Sequence, residues 1–215
     1  MIDPLFFSQF AVLATAHFLA VASPGPDLAV VLKQSVSYGR RHALVTSVGI
    51  GLAILVHVSY SVLGIGLLIK QSELLFSLLK YLCAGYLTYI GIQALRAKPS
   101  APQTRETNAD ASLPAQPITK AFGLGFITNV LNPKATLFFL SVFSVVLSAQ
   151  TPMTWMAGYA VYLSLATMAW FCMISVVLSR HSIRQRFLAS GYIFDRVMGV
   201  ILILLGVNVA FSQLV

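Results

Sequence analysis

Charge is what this 215-residue chain has least of: only 9% of its residues are charged, and six are Asp or Glu. A water-soluble domain carries about a quarter charged residues, so there is too little polar surface here to cover a globule facing water. Asp27 is the one acid well inside an apolar run, with Asp195 at the edge of another. That argues against a dedicated divalent-metal site, which needs several inward carboxylates. Cysteine is as scarce. Cys83 and Cys172 stand singly in apolar runs and no CxxC occurs, which argues against thiol redox chemistry and thiolate metal binding. No HExxH is present, and no embedded nucleophile is paired with a base. Enzymatic chemistry has no residues to carry it, and nothing calls for a cofactor.

What fills the chain instead is apolar: 58% hydrophobic residues and a mean hydropathy of +0.84. The runs are long and do not alternate, which points to an all-α integral membrane protein surrounded by lipid. A transmembrane barrel would show alternating segments of about ten residues. Six spans are expected, at about 5–32, 43–69, 74–95, 121–148, 154–178 and 196–213. The start, Met1-Ile2-Asp3-Pro4, lacks a basic region before a long apolar run, so that run reads as a retained span. Between spans three and four, "RAKPSAPQTRETNADASLPAQPITK" has four prolines and no core-forming pattern, as a flexible linker does. The basic stretch "SRHSIRQRFLASGYIFD" before the sixth span fits a segment lying on the membrane surface.

A net charge of +8 raises nucleic acid as a partner, but the bases form no single block. They cluster at span ends, as membrane topology requires. Lys33, Arg40, Arg41, Arg96, Lys98, Arg105, Lys120, Arg180, Arg184, Arg186 and Arg196 fall on one side, and Lys70 alone falls on the other. The positive-inside rule puts the basic side in the cytoplasm and both termini in the periplasm.

Two of the apolar runs are interrupted. The first contains Ser23-Pro24-Gly25-Pro26-Asp27 and the fourth contains Asn132-Pro133-Lys134. Proline removes a backbone donor and clashes one turn back, so each helix must break. The breaks occupy matching positions in two halves. The expected organisation is a three-helix repeat over 1–95, a cytoplasmic linker over 96–120 and an inverted three-helix repeat over 121–215, with helices 1 and 4 broken. Gly85 and Gly91 in span three echo Gly199 and Gly206 in span six. They fit packing within a monomer or between protomers of a homo-oligomer equally well.

Interrupted spans at corresponding positions are the sequence pointer to a transporter site. Ser23 reads as an N-cap with the prolines in the first turn, and Asn132-Pro133 gives the same signal. A half-helix start inside a membrane offers free N–H groups and a partial positive charge, a seat for a carboxylate. Asp27 is favoured at such an end, so it fits a structural role as well as a binding one. Lys134 is disfavoured there and calls for a nearby anion, either Asp27 or a bound carboxylate. Together they could receive the amine and carboxylate of an amino acid. The candidate substrate site is Ser23, Pro24, Gly25, Pro26, Asp27, Asn129, Asn132, Pro133 and Lys134. Asn129, one turn before Pro133, would satisfy carbonyls freed by the break. Asp27, His17 and His57 are candidates for proton coupling, with helix packing as the alternative for both histidines. Gly49 and Ala53, spaced by four with His57, read as a packing stripe.

"SPGPD", "NPKA" and the polar linker, with "HFLAVASPGPDLAVVLKQSVSYGRRHAL" and "GYLTYIGIQALRA", resemble the LysE/RhtB superfamily of amino-acid exporters, most closely its homoserine/threonine efflux branch. The resemblance covers the chain except the linker. It implies export of small amino acids across a bacterial inner membrane, exchanged for protons by alternating access. A passive channel, or an exporter of another small solute or a cation, is the competing reading.

Overall fold

The computed structural model of the chain describes residues 4–23, 25–71, 73–97, 116–146 and 151–178, with 192–193, 196–197, 199–204, 206–207 and 209–211. Pro24, most of the expected linker and the basic stretch 179–191 lie outside the described residues. In chain order the continuous helices are α1 (Pro4–Ala22), α2 (Pro26–Tyr38), α3 (Arg40–Gln71), α4 (Glu73–Leu95), α5 (Ile118–Val130), α6 (Pro133–Val146) and α7 (Met153–Val177). Their boundaries follow local chemistry. Pro26 and Pro133 open α2 and α6, where a missing N–H matters least. Gly39 closes α2 at φ 83°, a backbone conformation that disfavours side chains, and turns the chain into α3.

The expected six spans in two inverted repeats are overturned. Among the described residues, α3 (over Arg40–Gly64) and α7 are the two helices long and apolar enough to cross a membrane. The α1–α2 pair, bent by 50°, and the α5–α6 pair, bent by 53°, raise the number to four if each pair is one span. An apolar run is not a continuous helix. At 1.5 Å per residue, α2 and α6 extend about 20 Å, short of a hydrocarbon core of about 30 Å. α4 is not among the spanning helices, and the expected sixth span is represented by a shorter apolar helix, Gly199–Phe211. Nor do the helices separate into two clear groups of three. α3, from the first half of the chain, packs most extensively against α5 and α7 from the second.

That interleaving depends on glycine at one crossing. A Cβ on Gly49 would run into the Phe122 carbonyl oxygen, and one on Gly125 into that of Thr46. Thr46 Oγ1 then donates to the Ala121 carbonyl at 3.0 Å across the same contact. Close approach with a hydroxyl bond is how helices associate where lipid removes the hydrophobic drive. Gly91 and Gly199 likewise let α4 meet the 199–211 segment within one chain. Two apolar clusters flank the middle of the fold. One gathers Leu13, Ile54, Phe138, Phe139, Phe143 and Tyr159; the other gathers Leu28, Val31, Ile50, Phe171 and Ile174. The polar site lies between them.

Candidate functional site

Both breaks face one cavity of about 50 Å³, lined by Ser23, Gly25, Asp27, Asn129, Asn132 and Lys134 on its polar side. Such a volume holds roughly three to five waters. The first break is capped differently from the sequence expectation. Gly25, extended at φ −173°, is the N-cap of α2 and offers no side-chain bond. Ser23 instead ends α1, its amide donating to the Leu19 carbonyl at 3.2 Å. Its own carbonyl accepts a 3.0 Å bond from Lys134 Nζ. Gly25 lies against that lysine, and a Cβ there would meet Nζ at 3.6 Å. Pro26 is exposed at the first position of α2, with Asp27 behind it.

The second break caps itself. Leu131 closes α5 by donating its amide to the Ile127 carbonyl at 3.0 Å. Asn132 Oδ1 accepts from the Lys134 amide at 3.0 Å, and the Asn132 carbonyl accepts from the Thr136 amide at 3.0 Å. This is the side-chain cap that an asparagine before proline provides. Pro133 is exposed and fixes the first turn.

The breaks meet at Asp27. Asn129 Nδ2 and Asn132 Nδ2 both donate to Asp27 Oδ2, each at 3.0 Å. Lys134 adds an attractive charge. Asp27 Oδ1, buried, has no hydrogen-bond partner among the described residues, whereas the Asn129 side chain also lies against His57. Leaving a buried acceptor unpaired costs about 1–3 kcal/mol, and more for a charged group. An unpaired carboxylate oxygen calls for a donor, and a cationic amine fits best.

The histidines divide. His17, 3% exposed, lines the cavity and bonds Thr167 Oγ1 through Nε2 at 2.8 Å. His57 stands behind the site: its Nε2 donates to the Asn129 carbonyl at 2.9 Å, and its Nδ1 accepts from the Tyr60 hydroxyl. Tyr60 is in turn bonded to Thr136 in the first turn of α6. α3 therefore grips both sides of the second break, and Gly49 and Ala53 on the same stripe are buried. Sequence reasoning missed Tyr60, Thr136 and Thr167. The signal for Thr167 was available: Tyr159, Leu163, Thr167 and Phe171 form the buried stripe of α7 at helical spacing.

The family model for the LysE type translocator matches residues 18–213. The chain is 32% identical over 203 residues to the uncharacterized membrane protein YahN of Escherichia coli (strain K12), covering 93% of this chain and 87% of that one. It is 27% identical over 207 residues to the threonine efflux protein of the same strain, covering 95% and 98%. To the uncharacterized membrane protein YrhP of Bacillus subtilis it is 25% identical over 199 residues, covering 90% and 94%. No solved structure matches. With apolar crossing helices, two proline breaks joined at a buried carboxylate and a match over nearly its whole length, the chain belongs to the LysE family of membrane translocators, a transporter of small, amino-acid-like molecules.

Proposed function

We propose that the protein exports small amino acids, of the threonine or homoserine kind, from the bacterial cytoplasm across the inner membrane in exchange for protons. The observation that carries this reading is the unpaired Asp27 Oδ1 in a cavity that Lys134 also lines. An α-amino acid presents an ammonium and a carboxylate on one carbon. The ammonium takes Asp27. The carboxylate takes Lys134, helped by the α2 start at Gly25, where no side chain occupies the free amides. Ser23, Pro26, Asn132 and Pro133 hold this frame by shaping the two breaks.

Exchange follows from sharing one group. A proton on Asp27 removes the negative charge that holds the amine, so amine and proton occupy the carboxylate in turn. Alternating access requires the breaks to expose Asp27 first to one side and then to the other. Among the relatives, the one named a threonine efflux protein points the same way.

Counterflow in proteoliposomes tests the reading. Vesicles loaded with unlabelled threonine should transiently accumulate labelled threonine above equilibrium, and a pH-sensitive dye should report proton movement in the opposite direction. Simple equilibration without overshoot would make the protein a passive channel instead.

A further inference from the structure

The cavity has a second polar feature, which binding the α-amino and α-carboxyl groups leaves unused. The rest of its lining is largely apolar, with Ile54, Phe138, Phe139 and Phe171, and His17 and Thr167 stand among them. Both are buried, at 3% and 1% exposure, and they bond one another at 2.8 Å. Burying a histidine and a hydroxyl among phenylalanines costs free energy unless they are paired. Pairing them satisfies one group on each, and the chemistry of both leaves more. A hydroxyl carries one donor and two acceptor sites, so Thr167 Oγ1 keeps a lone pair whichever atom holds the shared proton. Among the described residues, the hydrogen bond His17 makes runs through Nε2, and its second ring nitrogen is not part of that bond.

Position puts the pair at the same site: His17 and Thr167 line the cavity that Asp27 and Lys134 also line, and His17 stands six residues before Ser23 on α1.

We propose that the His17–Thr167 pair is the side-chain end of the transport site and selects small hydroxyl-bearing amino acids over apolar molecules of the same shape. The assignment rests on the exporter reading and adds to it a specificity-determining contact on α1 and α7. The substrate hydroxyl bonds Thr167 Oγ1, with the His17 ring fixing the orientation of that oxygen. Phe138, Phe139 and Phe171 surround the rest of the side chain and exclude water.

The test compares threonine with valine, in which a methyl replaces the hydroxyl. Labelled threonine counterflow is competed by each unlabelled amino acid, in wild type and in Thr167→Val, Thr167→Ser and His17→Gln. Wild type should prefer threonine by roughly five- to 150-fold, the cost of leaving one buried hydrogen-bonding group without its partner. Thr167→Val should bring the ratio close to one. Thr167→Ser, which keeps the hydroxyl, should retain it, and His17→Gln should narrow it. If Thr167→Val does not insert, the Ser and Gln variants decide by the same ratio. Wild-type transport with an unchanged ratio in Thr167→Val and His17→Gln would overturn this subsite and leave the exporter reading standing. Wild type that carries no amino acid would overturn both.

Discussion

Asn132 serves two masters, and separating them tests how the site is held. Its Oδ1 caps α6 through the Lys134 amide, while its Nδ2 donates to Asp27, both at 3.0 Å. Replacing Asn132 with alanine removes both. Loss of an N-cap costs about 1 kcal/mol. The bond to a carboxylate is worth about 1.5–3 kcal/mol in general, although interhelical bonds in membranes average about 0.6 kcal/mol. Asn132→Ala should therefore destabilise the protein by about 2–3 kcal/mol. Asn132→Ser keeps a good cap but cannot reach Asp27 as the amide does, so it should recover about 1 kcal/mol of that loss. Transport should recover in neither variant, because Asp27 keeps only Asn129 as its amide donor. Unfolding in detergent reads the first quantity and counterflow the second. A serine variant as unstable as alanine would refute the cap, and one transporting at the wild-type rate would refute the role of the Asp27 contact.

Neutralising either charge, by Asp27→Asn or Lys134→Met, should abolish export while leaving insertion intact. Each single change should also destabilise by about 3–5 kcal/mol through the charge left behind, and the double variant should regain stability without transport. Export retained by either inserted variant would make that charge structural. Gly125→Ala, whose Cβ would strike the Thr46 carbonyl, should cost about 1–3 kcal/mol by forcing α3 from α5. Gly158→Ala has open space around it and should be neutral or stabilising by about 0.5–1 kcal/mol in the same unfolding assay.

The breaks were legible because proline acts locally: Pro26 and Pro133 each start a helix wherever the chain goes next. Their meeting at Asp27 is tertiary, and it holds although the repeat symmetry first used to expect it does not. The breaks in the first and fourth spans were expected; the six-span count fails at the third and sixth, where α4 is not among the crossing helices and the last run is represented by the shorter helix Gly199–Phe211. Ser23 illustrates a finer limit. Its side chain is a natural cap, but the extended residue before Pro26 is Gly25, so the serine contributes its carbonyl. His57 was visible as an odd polar residue in an apolar helix, yet its partner is a backbone carbonyl, which has no sequence signature.

The central claim is that Asp27 receives the substrate amine. Competition against labelled threonine counterflow by two analogues tests it most directly, one lacking the amine (2-deamino) and one with the carboxylate amidated. The amine-free analogue should fail to compete at concentrations where threonine saturates, and the amide should compete weakly through its intact amine. Equal competition by the amine-free analogue would mean that Asp27 does not hold the amine, and would contradict the account.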